Sequence, residues 1–292
     1  MSGAQAGHMD LARHVEDWRP PDTDHADVIA ARRVRELAAT LDIDESFADG
    51  DALPALWHWL FFLDWPKGSE LGADGHPRDG VFLPRIPNRR RMFAGARLTI
   101  AAPLVIGEAA TRHAQVMKTS VKHGRSGDLL FVTVRSAYRQ RDREVLVEEQ
   151  DLVYRSDDGS ATPFAPPSEP LGPQTTPWVS HPHVDSPVLF RFSALTANAH
   201  RIHYDEPYAT GVEGYPGLVV HGPLLAVYLA ELARRNGPTT GLSGFEFQLR
   251  RPVFVGDQFR VQGTPADDGR SASLAVVSGA ATTHVTATAR YA

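Results

Sequence analysis

The stretch "HGPLLAVYLAELARRNGP", residues 221–238, gives the strongest indication of local structure in this chain of 292 residues. Its apolar side chains recur at helical spacing, which places them on one face of a helix. Glycine–proline pairs at 222–223 and 237–238 are typical of a helix start and a helix end. We therefore predict one long helix here. Its apolar face consists of Leu224, Leu225, Tyr228, Leu229 and Leu232.

The residues that follow this helix alternate between apolar and polar types, the pattern of half-buried strands. Turn residues separate the stretches, and "DDGR" (267–270) is the clearest turn. A long helix followed by an antiparallel sheet predicts an α+β unit whose sheet packs its apolar face on the helix. The predicted strands are 245–249, "RPVFVGDQFRVQG" (251–263), "ASLAVVSGA" (272–280) and "THVTATARYA" (283–292).

The first half of the chain repeats this order. The apolar run "DALPALWHWLFFLDW" (51–65) predicts a second helix, followed by three strand-like stretches. The hexapeptides "PLVIGE" (103–108) and "PVFVGD" (252–257) fall at corresponding points, which indicates an internal duplication. The three stretches are "GARLTIAAPLVIGE" (95–108), "DLLFVTVRSAY" (128–138) and "VLVEEQDLVYRS" (145–156).

A proline-rich segment separates the two halves. Residues 156–187 contain eight prolines and almost no periodic apolar pattern, as in a stiff, extended linker. We therefore divide the chain into an N-terminal half (1–155), this linker, and a C-terminal half (188–292).

Composition excludes several classes of protein. Cysteine is absent, which rules out disulfides, thiolate metal sites and cysteine nucleophiles. The net charge of −5 argues against a nucleic-acid partner, and no apolar run is long enough to predict a membrane span. The N-terminus lacks the features of a secretory signal, so we expect a cytoplasmic protein.

The segment "NAHRIHYDEPYA" (198–209) is unusually dense in titratable side chains, with two histidines, an arginine, two tyrosines and two acids. Together with "GLVVHGPLLAVYLAEL" and "RRPVFVGD" it resembles the MaoC-like hydratases and dehydratases, which have the hot-dog fold. In the first half, "NRRRMFAGARL", "GRSGDLLFVTV" and "VEEQDLVYR" resemble the degenerate half of two-domain members. Those members are the mesaconyl-CoA and itaconyl-CoA hydratases and the type 2 hydroxyacyl-thioester dehydratases.

The resemblance implies two fused hot-dog halves, each a long central helix wrapped by an antiparallel sheet. One such chain mimics the dimer of single-domain relatives, and a homodimer of double hot-dog chains is a further expectation. The implied activity is reversible hydration of an enoyl-CoA, or dehydration of a 3-hydroxyacyl-CoA, without metal or redox cofactor. A short branched or carboxylated acyl group fits this branch, and an ordinary fatty acyl chain is the alternative.

His203 is the candidate acid–base residue, because imidazole titrates near neutral pH. Asn198 stands where the family signature has an aspartate five places before the histidine. An amide cannot act as that base, but it can hold the attacking water by hydrogen bonds. Gly222, at the start of the long helix, offers a backbone N–H to stabilise an enolate oxygen.

Charged residues supply candidate substrate contacts. Arg201 could either fix its own loop or meet a substrate carboxylate, and Asp205 could orient His203 or cap the next segment. The first half carries an extra loop (66–95), which ends in a cluster of cations able to contact the phosphates of coenzyme A. The cluster comprises Arg85, Arg89, Arg90 and Arg91, with Lys67 nearby.

Three other readings stay open from sequence. A thioesterase would use the same fold for attack at the carbonyl carbon. A non-catalytic acyl-CoA-binding protein would explain the asparagine at position 198. A metal enzyme would need His200, His203 and Asp205 as ligands, although we expect no metal because the three lie in one loop.

Overall fold

The computed structural model describes residues 11–86, 89–124, 127–156, 170–279 and 282–292. Within these ranges, ten antiparallel strands form one continuous sheet in the order β1-β3-β4-β5-β2-β7-β10-β9-β8-β6. The strands of the first half are β1 (Thr23–Val28), β2 (Arg89–Ile100), β3 (Ala109–Gly124), β4 (Gly127–Gln140) and β5 (Arg143–Ser156). The remaining strands are β6 (Trp178–Ser180), β7 (Leu242–Leu249), β8 (Phe259–Pro265), β9 (Ser271–Ser278) and β10 (Thr282–Tyr291).

The two halves join at the centre of this sheet, where β2 pairs with β7. Leu98 lies opposite Phe245 in that register, and Ala96 lies opposite Phe247. All four side chains are buried in the main core. The halves therefore share one apolar interior.

The long helix predicted in the second half is confirmed as α4 (Gly222–Asn236). Every residue from 224 to 233 is buried, because α4 packs against β6 to β10. Three shorter helices complete the described part of the chain: α1 (Ala31–Thr40), α2 (Ser186–Leu195) and α3 (Glu206–Gly211). In that part, no helix has the length and apolar character needed to cross a membrane.

The helix predicted over 51–65 is wrong. Only a 3-10 turn forms there, at Trp57–Leu60, and the backbone on either side of it is left-handed, with φ of 71° at Leu56 and 57° at Phe62. A continuous α-helix requires φ near −63°, so these two residues interrupt it. The apolar run is instead a core loop. The helix of the first half, α1, lies earlier, and its Val34 and Leu37 are buried in the main core.

The predicted linker contains regular structure in its C-terminal part. Residues 157–169 lie outside the described residues. After them, β6 pairs with β8 at the edge of the sheet, and α2 begins at Ser186. The carboxylate of Asp185 accepts a hydrogen bond from the backbone N–H of Val188 at 3.0 Å and caps α2.

Candidate active site

A cavity of about 890 Å³ lies between the two halves. Strands β2 and β5 and the extra loop supply one wall, and the segment after α2 and the start of α4 supply the other. The three residues predicted from sequence to be catalytic meet there, namely His203, Asn198 and Gly222. The first half contributes Trp59, Gly75, His76, Arg91, Phe93 and Gln150 among others.

The imidazole of His203 is held in its neutral form. It lies in a 3-10 turn (Arg201–His203) and is 7% exposed. Its Nδ1 lies 2.7 Å from the carbonyl oxygen of Val219, and since a carbonyl only accepts, Nδ1 carries the hydrogen. Burial lowers the pKa of His203 to about 4, although the bond to Val219 opposes this shift. At neutral pH the lone pair of Nε2 is therefore available for proton abstraction.

Two further imidazoles pack around His203. The ring of His221 stacks on it with centroids 3.7 Å apart, and the ring of His200 meets it edge to face at 5.6 Å. His221 is fully buried and its Nε2 lies 2.8 Å from the hydroxyl of Ser193. Burial holds the pKa of His221 well below its usual range. His221 is thus a packing residue that fixes the plane of His203.

Asn198 follows a left-handed residue, Ala197, at φ 50°. Its backbone N–H donates to the carbonyl of Ser193 at 2.9 Å, and its Oδ1 accepts from the backbone N–H of His200 at 3.1 Å. These bonds fix the side chain as an Asx turn that lines the cavity. With Oδ1 occupied, Nδ2 is the group that can donate a hydrogen bond to a bound molecule.

Gly222 is the first residue of α4 and lines the cavity. A backbone N–H in the first turn of a helix has no intrahelical acceptor and points along the positive end of the helix dipole. A β-carbon at position 222 would lie 2.3 Å from Cδ1 of Leu249. The glycine therefore permits close packing of Leu249, on β7, against the start of α4.

Arg201 and Asp205 hold the segment together. The Nε and Nη2 atoms of Arg201 donate to Oδ2 of Asp205 at 2.9 and 2.7 Å, and its Nη1 donates to the carbonyl of Ala73 at 2.9 Å. The guanidinium also lies 4.0 Å from the ring centroid of Tyr208. Oδ1 of Asp205 accepts from the backbone N–H of Tyr208 at 3.1 Å and caps α3. These contacts favour the loop-fixing role for Arg201 and the capping role for Asp205.

The arginines predicted from sequence to contact phosphate have three different environments, and Arg89, Arg90 and Arg91 lie at the start of β2 rather than in the extra loop. Arg89 donates to the backbone carbonyls of Pro84, Pro77 and Arg78 at 3.0, 3.2 and 3.0 Å. Arg90 pairs with Glu213 at 3.0 Å. Arg91 lines the cavity. Arg85 and Lys67 are exposed and are not part of the cavity lining.

Sequence reasoning missed two groups in this cavity. One is His76 with its neighbour Asp74, carried by the extra loop; the triplet "DGH" (74–76) was its only local signal. The other is the pair Arg250 and Arg251, which directly follow β7 and line the cavity. Their stretch, "RRPVFVGD" (250–257), indicated the internal repeat and the family but gave no sign of a role for the two arginines.

The metal-ligand set considered from sequence is not assembled. Within the described ranges, the histidine and acidic residues whose ligand atoms all approach within 4.8 Å of one another are Asp74, His76 and His200. Asp205 is directed to Arg201 and the start of α3. His200, His203 and Asp205 therefore do not form a site.

Comparisons with known proteins identify the family of this chain. The model of the family described as hydroxyacyl-thioester dehydratase type 2 matches residues 56–255. Mesaconyl-C(4)-CoA hydratase of Chloroflexus aurantiacus is 46% identical over 243 residues, which cover 83% of this chain and 86% of that protein. The mitochondrial hydroxyacyl-thioester dehydratase type 2 of Schizosaccharomyces pombe is 30% identical over 233 residues, or 70% of this chain and 75% of the relative.

Solved structures match the fold at low sequence identity. A MaoC-like dehydratase from Phytophthora capsici has a TM-score of 0.63 at 13% identity, covering 94% of this chain and 96% of that one. A Mycobacterium tuberculosis protein described as having a double hot-dog fold has a TM-score of 0.58 at 12% identity, covering 95% and 97%. The fold class predicted from sequence is confirmed, and the chain belongs to the hydroxyacyl-thioester dehydratase type 2 family.

Proposed function

We propose that this protein adds water to the double bond of a short, carboxylated enoyl-CoA, with mesaconyl-C(4)-CoA as the reference substrate. Its relatives are named as a hydratase and a dehydratase, and the chain is accordingly a hydro-lyase of acyl thioesters. The observation that carries the proposal is a buried, neutral His203 whose Nδ1 is bonded to Val219, so that Nε2 can act as a base.

The reaction follows from the three residues that meet in the cavity. Nε2 of His203 takes a proton from water while the water oxygen bonds to the β-carbon. The π electrons move toward the thioester, whose oxygen becomes an enolate that the N–H of Gly222 can stabilise. Nδ2 of Asn198 orients the water. In the simplest scheme His203 then returns the proton to the α-carbon, and no cofactor is required.

Arginines around the cavity support an anionic substrate. Arg91 lies close enough to the catalytic histidines for its charge to contribute to lowering the pKa of His200, after burial and the neighbouring imidazoles. We assign it to a carboxylate on the acyl group, since guanidinium binds carboxylate through two parallel hydrogen bonds. Arg250 and Arg251 are more exposed, and we assign them to the phosphates of coenzyme A.

The test is hydration of a panel of acyl-CoAs, followed as the loss of ultraviolet absorbance of the conjugated thioester. We expect mesaconyl-CoA to be turned over faster than crotonyl-CoA, which lacks the carboxylate. His203→Gln should lower kcat about 100-fold or more. A suitable control is His113→Gln, which changes a histidine–aspartate pair (Nδ1 to Asp24, 2.9 Å) on β3 outside the cavity lining.

Three results would contradict the proposal. Release of free thiol would indicate thioester hydrolysis. Binding of acyl-CoA without turnover would indicate a binding protein. Arg91→Gln should raise the KM for mesaconyl-CoA and leave the KM for crotonyl-CoA unchanged. An equal effect of this substitution on both KM values would contradict the assignment of Arg91 to the acyl carboxylate.

Two expectations from sequence stay predictions. A cytoplasmic location is one, and the fission yeast relative is named as mitochondrial. A homodimer of double hot-dog chains is the other, and sedimentation of the purified protein measures it directly.

A further inference from the structure

Hydration transfers two protons, one from water to a base and one from an acid to the α-carbon. We propose that the Asp74–His76 pair is a second acid–base unit of this active site, with His76 as the proton donor to the α-carbon and Asp74 as its positioning residue. This assignment rests on the hydration proposed above. It gives the two proton transfers to two imidazoles, whereas the simplest scheme gives both to His203.

The pair reaches the site because the extra loop is fixed directly to the catalytic segment. The backbone N–H of Arg201 donates to the carbonyl of Asp74 at 2.9 Å, and the Arg201 side chain donates to the carbonyl of Ala73 at 2.9 Å. Gly75, between the two residues of the pair, adopts φ 91° and packs against the carbonyl of Ala199. A side chain at position 75 would collide with that carbonyl. The glycine therefore allows the loop to contact the segment that carries His203 at this point.

The hydrogen bonds of the pair define which nitrogen of His76 is available. Nδ1 of His76 lies 3.0 Å from Oδ2 of Asp74, and the backbone N–H of His76 donates to Oδ1 at 3.0 Å. Partial burial raises the pKa of Asp74, but the hydrogen bond and charge of His76 outweigh it and lower the pKa to about 2. The carboxylate is thus ionised and binds Nδ1–H, which leaves Nε2 of His76 for the cavity that both His76 and His203 line.

Three imidazoles follow one another along the cavity wall. The ring centroid of His76 lies 4.1 Å from that of His200, which in turn meets His203 at 5.6 Å. Burial, and then the charges of its two neighbours, lower the pKa of His200 to about 2, so it stays neutral. His203 is also neutral at pH 7. Of the three, His76 has the carboxylate partner that stabilises an imidazolium through a charge-assisted hydrogen bond.

Every proton transferred in this step has a donor and an acceptor. Nε2 of His203 takes a proton from water as the carbon–oxygen bond forms, and the π electrons of the double bond move to the α-carbon and the thioester. His76 gives its Nε2 proton to the α-carbon, which ends the cycle with His203 protonated and His76 neutral. Release of a proton from His203 to solvent and uptake of one by His76 restore the starting state.

A metal ion is the competing use of these side chains. Zinc holds nitrogen and oxygen ligands at about 2.0–2.2 Å. The ligand atoms of Asp74, His76 and His200 all lie within 4.8 Å of one another, so their spacing alone does not exclude an ion, but the carboxylate already accepts two hydrogen bonds from His76. The observed contacts fit a hydrogen-bonded pair, and the experiment separates the two uses.

The experiment compares the full-length wild type with His76→Gln, Asp74→Asn and the control His113→Gln. The measurements are kcat and KM for mesaconyl-CoA between about pH 5 and pH 9, spanning the range in which imidazole titrates, and binding of unreactive succinyl-CoA. We expect His76→Gln to lower kcat about 100-fold and to leave succinyl-CoA affinity within about threefold. A donor must be protonated, so wild-type kcat should fall as pH rises, and this fall should be absent in His76→Gln.

Asp74→Asn should lower kcat by a smaller factor than His76→Gln and leave succinyl-CoA affinity within about threefold, because the neutral amide no longer gives the donor imidazole a charge-assisted hydrogen bond. His76 also lines a second cavity, of about 680 Å³. The charged and titratable groups of that cavity would also affect the profile, and their variants serve as further checks. They are Asp74, Arg78, Arg89, Arg90, Arg91, Tyr208 and Glu213, in addition to His200 on the catalytic side.

Several outcomes overturn the assignment. One is a kcat of His76→Gln close to wild type, and another is an unchanged pH profile in that variant. A loss of kcat matched by an equal loss of succinyl-CoA affinity would assign His76 to binding, and inactivation by a chelator with recovery on adding zinc would assign the residues to a metal. If the wild type hydrates no enoyl-CoA, or if His203→Gln is fully active, the proposed function itself fails.

Discussion

Replacing Gly75 by alanine tests whether the first half of the chain positions the catalytic segment of the second. The loop around Gly75 contacts residues 199–201 through backbone groups, the side chain of Arg201 and the ring of His76, which lies against His200. A single added methyl group at this point should therefore act on catalysis without removing any functional side chain.

The size of the effect follows from the geometry. A β-carbon on Gly75 would lie 1.8 Å from the carbonyl oxygen of Ala199, whereas such contacts are essentially never below 3.0 Å. The loop and the catalytic segment must then separate by more than about 1 Å, a displacement that can cost about 100-fold in rate. The left-handed backbone of residue 75 adds strain of about 1–2 kcal/mol for alanine. We expect kcat to fall about 100-fold.

Gly50→Ala is the matched control. Gly50 adopts φ 95°, close to the 91° of Gly75, but a β-carbon there has no atom within 4 Å. It should lose about 1–2 kcal/mol of unfolding free energy from backbone strain and keep its activity. Hydration rates and denaturant unfolding of both variants make the comparison. If Gly75→Ala keeps wild-type kcat while losing as much stability as Gly50→Ala, the loop does not position the catalytic segment.

Two further predictions concern stability. Glu148→Gln should lower the unfolding free energy by about 3–5 kcal/mol, because Glu148 and His58 form a buried pair at 3.1 Å with side chains 0% and 2% exposed. Glu149→Gln, at a carboxylate 40% exposed, should cost less than about 1 kcal/mol in the same denaturant titration; similar losses would contradict the reasoning. The melting temperature should fall as pH drops from 6.5 toward 4, since folding holds the pKa values of His200 and His203 at about 2 and about 4, below the usual 6.5, and the unfolded chain binds these protons first. His200→Gln should flatten this dependence, and a melting temperature that is constant across this range would refute the burial argument.

The sequence by itself determined the long helix and the sheet of the second half. Periodic apolar residues and glycine–proline pairs predicted a helix at 221–238, and α4 spans Gly222–Asn236. These signals are local, because they depend on backbone preferences and on the spacing of side chains along one element. The repeated order of elements and the motif around His203 indicated the family on the same basis.

Apolar content alone gave a wrong helix prediction for a segment that is buried in the core. The run at 51–65 is buried on several sides, so its composition did not distinguish a helix from a core loop. Leu56 and Phe62 adopt left-handed backbone conformations that apolar side chains rarely adopt, and only packing imposes them. The helix α1 was missed for the opposite reason, since its sequence "ARRVRELAAT" contains just two large apolar residues that meet the core.

The tertiary structure decided which side chains share the cavity. Asn198, His203 and Gly222 came from adjacent segments, so the sequence could group them. Arg201 and the loop carbonyl of Ala73 are 128 residues apart, and their contact depends on how the two halves pack along β2 and β7. Spacing along a chain fixes neighbours only within one element, whereas packing of two halves brings together residues that no local pattern connects. That packing placed His76 beside His200 and put Arg91, but not Arg89, in the lining of the cavity shared with His203.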